Sequence, residues 1–163
     1  MNLVFNPMSE DHGPEIMEIF NHYIENTFAA YPETPLPAPA FAMFLQMTKG
    51  YPAFAIMDGS RTVGFCFLRA YNPMPAFRAT AEITSFIHPE FTGRGIGKTA
   101  LSKIEESARE AGISRILASI SSLNDGSIRF HRAHGFSECG RFHSVGVKRG
   151  KVFDVVWMEK QIL

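Results

Sequence analysis

The sequence predicts an α/β sandwich built on a mixed and mostly antiparallel sheet. Short runs rich in β-branched and aromatic residues alternate with longer segments whose apolar residues recur at helical spacing. An Asp-Gly turn signal joins two of the strand-like runs as a hairpin. The length of 163 residues and the apolar content of 45% favour one domain, residues 1–163, with its own core.

Each predicted element has a local signal. Pro89 ends the strand before it, Asn124 is a typical N-cap, and Gly112 and Gly135 are typical helix stops. The predicted elements, in order, are a strand at 3–6, helices at 11–27 and 39–48, a hairpin of strands at 53–57 and 62–71, a strand at 79–88, a helix that ends before Gly112, a strand at 113–120, a helix at 124–134, and strands at 136–147 and 152–160 joined by a turn at 148–151.

A glycine-rich loop precedes the helix that ends before Gly112. The run Gly93-Arg94-Gly95-Ile96-Gly97-Lys98 can bend tightly, because glycine tolerates positive φ and carries no side chain. Such a loop points several amide N–H groups at one place, where the positive end of the helix also lies. Arg94 and Lys98 add positive charge. The loop is a candidate cradle for a phosphate or pyrophosphate, and a plain strand-to-helix joint is the alternative.

Two common phosphate-binding patterns are incomplete in this loop. A Walker A loop would need glycine at position 92, which is Thr92, although Gly97-Lys98-Thr99 match its end. A dinucleotide-binding GxGxxG would need glycine at position 98, which is Lys98. What remains is a shorter GxG at positions 95 and 97.

Several separated segments follow one known pattern in the same order. They are Thr80–Glu82, Phe86–Phe91, Gly93–Lys98, Asn124–Ile128, His131, Gly135-Phe136 and Gly146–Val155. In these segments the chain resembles the GNAT superfamily of acyl-CoA-dependent N-acetyltransferases, within it the phosphinothricin and methionine sulfoximine (sulfone) acetyltransferase branch. The resemblance is dense over residues 50–160. It departs at Thr92, where the family usually has Gln or Arg.

The resemblance implies a GNAT fold, in which a twisted seven-stranded sheet is splayed in the middle. It implies that acetyl-CoA is the co-substrate, that no metal is needed, and that the acceptor is a primary amine of a small molecule. It also implies a homodimer. It implies that the backbone of Ser85, Phe86 and Ile87 pairs with the pantetheine arm of the cofactor, as an added strand would. It also implies that the Asn124 side chain contacts this arm, while the amides of 93–98 hold the pyrophosphate.

Glu82 is the candidate general base. Acetyl transfer needs a neutral amine, whereas amino groups are mostly protonated at neutral pH. A positioned carboxylate can remove that proton directly or through a water. Glu82 is the single charged residue between Ala79 and Ile87, and it matches the Thr-x-Glu motif of the family. A solvent-facing glutamate, or one paired with Arg78, is the alternative.

His131 is the second catalytic candidate, because imidazole exchanges a proton near neutral pH. It matches a histidine of the branch at a position where many other relatives carry Tyr. A histidine that only packs and forms hydrogen bonds is the alternative. His134 follows three residues later, but two histidines without a third ligand are weak evidence, so no metal site is predicted.

Two loops are predicted to cover the acceptor. The stretch 31–39 has four prolines and is stiff and extended; the resemblance places it, with residues 71–78, over the acceptor site, and a plain linker is the alternative. Tyr31, Phe77 and Arg78 are the substrate-binding candidates. Asn72 and Met74 stand where the branch often has arginine, which favours a small amino acid over a herbicide-type acceptor such as phosphinothricin.

Composition excludes some function classes. The formal net charge of zero argues against nucleic acid as a partner, and no apolar run is long enough to span a membrane. A cytoplasmic protein with buried free thiols at Cys66 and Cys139 is expected. Neither cysteine lies in a nucleophile motif, which favours direct transfer in a ternary complex. A non-catalytic CoA-binding sensor module and a P-loop-like nucleotide binder are the alternative functions.

Overall fold

Seven strands form one sheet, and four α-helices cover it, in the computed structural model, which describes residues 1–163. The strands are β1 (Leu3–Pro7), β2 (Ala53–Asp58), β3 (Arg61–Ala70), β4 (Thr80–Ile87), β5 (Arg115–Ser121), β6 (Ser137–Lys148) and β7 (Lys151–Gln161). The helices are α1 (Gly13–Asn26), α2 (Phe41–Met47), α3 (Ile96–Glu110) and α4 (Asp125–Ala133). The strand order is β1-β2-β3-β4-β5-β7-β6, and every neighbouring pair is antiparallel except β4 and β5. The predicted mixed, mostly antiparallel α/β fold is confirmed.

The parallel contact between β4 and β5 is short. The first three residues of β4, Thr80–Glu82, pair with residues 115–117 of β5. Beyond them the two strands part, while β4 stays paired with β3 as far as Ile87 and β5 stays paired with β7 as far as Ser121. The sheet is therefore splayed in its middle, and the two facing strand edges have no strand partner there.

A hydrophobic core lies on each face of the sheet. On one face α3 packs Ala100 and Ile104 in a cluster that includes residues of β3, β4, β5 and β7. On the other face α1 and α2 pack Ile16 and Phe44 against Phe65 of β3. The first cluster ties the two halves of the splayed sheet together. No helix combines the length and the apolar character needed to cross a membrane.

Some boundaries differ from the sequence-based ones. The first two helices are shorter than predicted, because residues 10–12 and 38–40 form 3₁₀ turns before them. The turn between β6 and β7 contains two residues, Arg149 and Gly150, instead of the predicted four. Their φ values of 51° and 73° suit the type I′ turn that matches the twist of a hairpin.

The prediction of two buried thiols is correct for one cysteine. Cys66 of β3 is buried in the core, whereas Cys139 is exposed on β6. β6 is the edge strand of the sheet, and most of its residues are exposed. The apolar residues around Cys139 indicated a strand but not whether a helix covers that strand.

Candidate active site

Two adjoining cavities lie along β4, where it parts from β5. The smaller, of about 350 Å³, lies beside Glu82, and the larger, of about 530 Å³, lies beside the glycine loop. Both are lined by Ser85 of β4 and by Asn124 and His131 at α4. An elongated ligand can therefore run from the glycine loop, along β4, to Glu82.

The glycine loop presents a run of unpaired amides. Gly93 and Gly95 have φ values of 74° and 80°, which glycine adopts without strain, and Gly95 caps α3. The first helical hydrogen bond of α3 runs from Thr99 N–H to the Gly95 carbonyl, at 3.2 Å. The N–H groups of residues 93–98 donate to no protein acceptor. These free amides and the positive end of α3 are suited to an anion.

Glu82 lies where β4 and β5 part, and its side chain is 12% exposed. Its Oε1 accepts a hydrogen bond of 2.9 Å from Arg69 Nη2, because Arg69 stands opposite Glu82 in the β3–β4 register. The arginine that pairs with Glu82 is therefore Arg69. The alternative considered from the sequence, a pair between Glu82 and Arg78, was wrong. Oε2 accepts no hydrogen bond from the protein, which leaves this oxygen free to take a proton.

Tyr31 reaches the same cavity from the loop after α1. Its hydroxyl lies 3.4 Å from Ser119 Oγ of β5, and its ring stacks on Phe153 of β7 with centroids 5.7 Å apart. Burial raises the pKa of Tyr31; the hydrogen bond to Ser119 opposes this shift, and the negative charge of Glu82 adds to it. The hydroxyl therefore keeps its proton at neutral pH and can donate a hydrogen bond.

His131 lies in the last turn of α4 and lines both cavities. Its Nδ1 is 2.8 Å from the Ser127 carbonyl, an acceptor that requires Nδ1 to carry the proton. Nε2 then has the free lone pair. Burial lowers the pKa of His131 below its ordinary value of 6.5; the Ser127 carbonyl opposes this shift, and the charge of His134 adds to it. The ring is thus neutral at pH 7.

The structure brings most of the predicted site residues to the gap. Those that line a cavity are Tyr31, Glu82, Ser85, Phe86, Ile87, Gly93, Gly97, Asn124 and His131. Ile96 buries its side chain in the core, so only its backbone is available to a ligand, and Gly95 lines neither cavity. Arg94 and Lys98 are exposed beside the loop and line neither cavity.

Phe77 and Arg78 are not brought to the gap. Residues 75–77 form an exposed 3₁₀ turn before β4, and no residue of the 71–78 loop lines either cavity. Phe77 instead packs edge-on against Tyr71, with ring centroids 5.8 Å apart. Substrate binding by Phe77 and Arg78 stays a prediction, and Arg69 is the arginine that lines the smaller cavity.

Sequence reasoning missed two polar groups of the site. Ser119 lies in no motif, and its contact with Tyr31, 88 residues away in the chain, arises only when the loop after α1 packs against the sheet. The Tyr23 hydroxyl donates a hydrogen bond of 2.6 Å to the Ile87 carbonyl on the open edge of β4. In the sequence, Tyr23 falls at the helical spacing of the apolar residues Ile16, Ile19 and Phe20, and nothing links it to Ile87.

The gap joins the glycine loop to the Glu82 carboxylate through two adjoining cavities, which suits an elongated carrier with a charged end. The charged end of the carrier would rest on the amides of the glycine loop, and its reactive end would lie beside Glu82. A splayed seven-stranded sheet with such a gap fits the acyltransferases, which take an acyl group from a carrier of this kind.

Comparison with known proteins identifies the family. A model of the acetyltransferase (GNAT) family matches residues 16–136, so the chain belongs to this family. It is an acetyl-CoA-dependent N-acetyltransferase, and the resemblance read from the sequence is confirmed.

Relatives and solved structures match nearly the whole chain. The L-methionine sulfoximine/L-methionine sulfone acetyltransferase of Pseudomonas paraeruginosa is 33% identical over 149 residues, which cover 90% of this chain and 87% of the relative. A phosphinothricin acetyltransferase from Sinorhizobium meliloti, solved with acetyl-CoA, superimposes with a TM-score of 0.91 at 28% identity, covering 99% of this chain and 89% of the other. A ribosomal-protein-alanine N-acetyltransferase from Brucella melitensis has a TM-score of 0.90 at 30% identity, covering 97% and 99%. These proteins share the fold and differ in the acceptor that their names state.

Proposed function

We propose that the protein transfers the acetyl group of acetyl-CoA directly to the primary amine of a small amino acid or analogue, such as L-methionine sulfone, L-methionine sulfoximine or phosphinothricin. The observation that carries this proposal is the free Oε2 of Glu82 in a cavity of about 350 Å³ at the end of the gap. Small-molecule sites of roughly 300–1,000 Å³ are typical. The names of the similar acetyltransferases support an amino-acid-like acceptor.

The gap suits acetyl-CoA, which supplies the acetyl group as a thioester. The amides of residues 93–98 would hold the pyrophosphate, with Arg94 and Lys98 nearby as positive charges. His88 N–H bonds to β3, so the backbone groups of Phe86 also face β3 and those of Ser85 face the gap, because strand residues alternate. Ser85 is therefore the main backbone partner of the pantetheine arm, with Asn124 across the gap.

Glu82 would act as the base. Its Oε2 takes a proton from the acceptor ammonium group, directly or through a water, while Arg69 holds Oε1 in place. The neutral nitrogen then lies against the acyl carbon, and most of the rate gain comes from this proximity. The apolar side chains of Phe20, Phe44 and Phe67 line the same cavity and suit an aliphatic acceptor side chain.

The two thiols are unsuited to carry the acetyl group. Burial raises the pKa of the Cys66 thiol to about 12, and Cys139 is exposed on β6. Neither residue lines a cavity of the gap. This supports direct transfer within a ternary complex over a covalent acetyl-enzyme.

Initial rates at several concentrations of both substrates test direct transfer. A ternary complex should give intersecting double-reciprocal lines.

His131 would exchange a proton through Nε2, either with the acceptor or with the leaving thiolate. Because the neutral ring is the form that accepts a proton, kcat/KM should be constant at pH values above the pKa of His131. It should decrease at pH values below that pKa, where the ring is protonated. Because burial lowers that pKa, the fall should come at a lower pH than for a free histidine. In His131→Asn this acid limb should disappear from the pH–rate profile. A profile that keeps the limb would remove His131 from the mechanism.

A screen of thiol release tests the proposed function. Acetyl-CoA with L-methionine sulfone, L-methionine sulfoximine or phosphinothricin should release CoA, whereas the N-acetylated forms of the same acceptors should not. Binding of acetyl-CoA without release from any amine would indicate a sensor module. Preference for ATP and magnesium would indicate a nucleotide binder, and release only with an alanine-starting peptide would indicate a protein acceptor, as the name of one structural neighbour suggests.

We further propose that the chain forms a homodimer through β6. This edge strand and the start of its hairpin partner β7 expose four apolar side chains, each 56% to 62% accessible: Phe142, Val145 and Val147 of β6 and Val152 of β7. An exposed edge strand with apolar side chains favours association unless it is covered.

Val145→Asp should shift the protein from dimer to monomer in sedimentation velocity, because a charge at the centre of this face would be buried in the interface. Val4→Asp is the matched control, since Val4 is also an exposed valine but lies on β1 at the opposite edge of the sheet. A wild-type protein that sediments as a monomer at all concentrations would contradict the dimer. A cytoplasmic location and the independence from metal and nucleic acid stay predictions.

A further inference from the structure

Lys148, the last residue of β6, buries a charge without a carboxylate partner. The residue is 1% exposed, and Nζ donates to the backbone carbonyls of Ile24, Thr27 and Ala30, at 2.8, 2.9 and 2.6 Å. An ammonium group has three donors and no acceptor, so these carbonyls satisfy it completely. Since a buried charge is costly without partners, the lysine stabilises one conformation of the segment that supplies them.

Arg149 reinforces this contact from the turn between β6 and β7. Its guanidinium donates to the Ile24 carbonyl at 2.7 Å and also to the Glu25 carbonyl, and its N–H donates to Glu33 Oε1 at 3.0 Å. The last carbonyls of a helix have no N–H partner within the helix, and cations are favourable there. The two adjacent cations therefore fix the end of α1 and the loop that follows.

The loop after α1 has few hydrogen bonds of its own. Between residues 28 and 36, the backbone N–H groups with a protein acceptor are those of Ala29, on Thr27 Oγ1, and of Leu36, on Asn21 Oδ1. Two prolines in this stretch have no N–H at all. The position of the loop thus depends on groups from elsewhere in the chain.

Residues 29–32 of this loop form a wall of the cavity beside Glu82. The β6–β7 hairpin supports the wall at a second point, where Tyr31 stacks on Phe153. Gly146 leaves room for that ring, because a Cβ at position 146 would lie 2.2 Å from Phe153 Cζ. The glycine, the two cations and the aromatic residue of this hairpin thus all act on the same wall.

We propose that Lys148, assisted by Arg149, is a positioning residue for the acceptor site: it holds the 27–32 loop against the cavity and thereby sets the affinity for the acceptor amine. The inference rests on the proposed acceptor site and adds a residue that does not touch the acceptor. None of the residues that bind acetyl-CoA in the proposed function contacts Lys148, and the loop meets the larger cavity only at Ala29, so cofactor binding should depend on Lys148 much less than acceptor binding does.

Lys148→Met tests this role, because methionine keeps the apolar stem and removes the ammonium. The acceptor KM for L-methionine sulfone should rise about tenfold or more, with a smaller fall in kcat and an acetyl-CoA Kd within about twofold of wild type. Hydrogen exchange of residues 24–33 should be faster. Lys160→Met is the matched control: Lys160 also makes a partly buried contact, with Glu105 at 2.6 Å, but lies away from the loop. It should change neither the acceptor KM nor the exchange of 24–33.

A folded Lys148→Met with wild-type acceptor KM and wild-type exchange in 24–33 would overturn the inference, and so would an equal rise of KM in Lys160→Met. If Lys148→Met does not fold, Arg149→Gly makes the same test, since glycine suits the positive φ of 51° and only the guanidinium is lost. It should raise the acceptor KM about threefold. A wild type that acetylates no amine would refute the proposed function, while the exchange measurement would still decide whether Lys148 holds the loop.

Discussion

Glu82→Gln is expected to lower kcat for acetyl transfer at least about tenfold, because general-base catalysis typically contributes a factor of about 10²–10⁴. Glutamine keeps the shape of the side chain and can still accept the hydrogen bond from Arg69, but it cannot take a proton from the amine. The deficit should shrink at high pH, where part of the acceptor amine is already neutral and needs no base. Steady-state CoA release across a pH series measures both effects.

The matched control for this variant is Glu159→Gln. Glu159 of β7 is also a sheet glutamate paired with an arginine, Arg115, at 3.0 Å, and it lines neither cavity. It should keep wild-type kcat within about twofold, since surface ion pairs contribute little. Thermal unfolding and the acetyl-CoA Kd should be unchanged in Glu82→Gln. Near-normal turnover of folded Glu82→Gln would remove Glu82 from the mechanism.

Gly97→Asp is expected to weaken acetyl-CoA binding at least about thirtyfold, because it places volume and negative charge in an anion site made of backbone amides. Gly97 lines the larger cavity in the first turn of α3. An acidic residue in the first turn of a helix is favourable for the helix itself, so the folded protein should be as stable as wild type or slightly more so. Isothermal titration with acetyl-CoA gives the affinity, and thermal unfolding gives the stability.

Thr99→Asp separates the two effects of this substitution. Thr99 lies in the same helical turn, but it is exposed and lines neither cavity. It adds the same charge near the helix N-terminus without filling the cradle, so the acetyl-CoA Kd should rise only a few fold, on the order of the helix-terminus effect. Equal losses of affinity in both variants would mean that long-range charge, and not occupation of the cradle, explains the result.

The sequence was sufficient for the element order and for the glycine loop. Asn124 accepts a hydrogen bond from Ser127 N–H as the predicted N-cap, and Gly95 adopts the left-handed conformation that the loop required. These features depend on neighbouring residues alone, through periodicity, caps and turn chemistry. The splay between β4 and β5 was different, because it was inferred only from the resemblance and no local pattern indicates it.

What the sequence left open depends on register and on distant packing. Arg69 and Arg78 both precede Glu82 by short distances in the chain, and only the β3–β4 register shows that Arg69 stands opposite Glu82. Lys148 reads as part of a charged turn, yet its ammonium is buried against carbonyls up to 124 residues away. Such contacts arise when separate elements pack together, and hydrophobic pattern and propensity do not encode them.

Isothermal titration of the wild-type protein with acetyl-CoA, in parallel with ATP and magnesium, distinguishes a site for acetyl-CoA from a site for a nucleotide. We expect one acetyl-CoA to bind saturably to each chain, at least about thirtyfold more weakly in Gly97→Asp, and no comparable binding of the nucleotide. Binding of ATP in preference to acetyl-CoA, or no binding of acetyl-CoA to a folded protein, would contradict the assignment of the β4–β5 gap as the cofactor site.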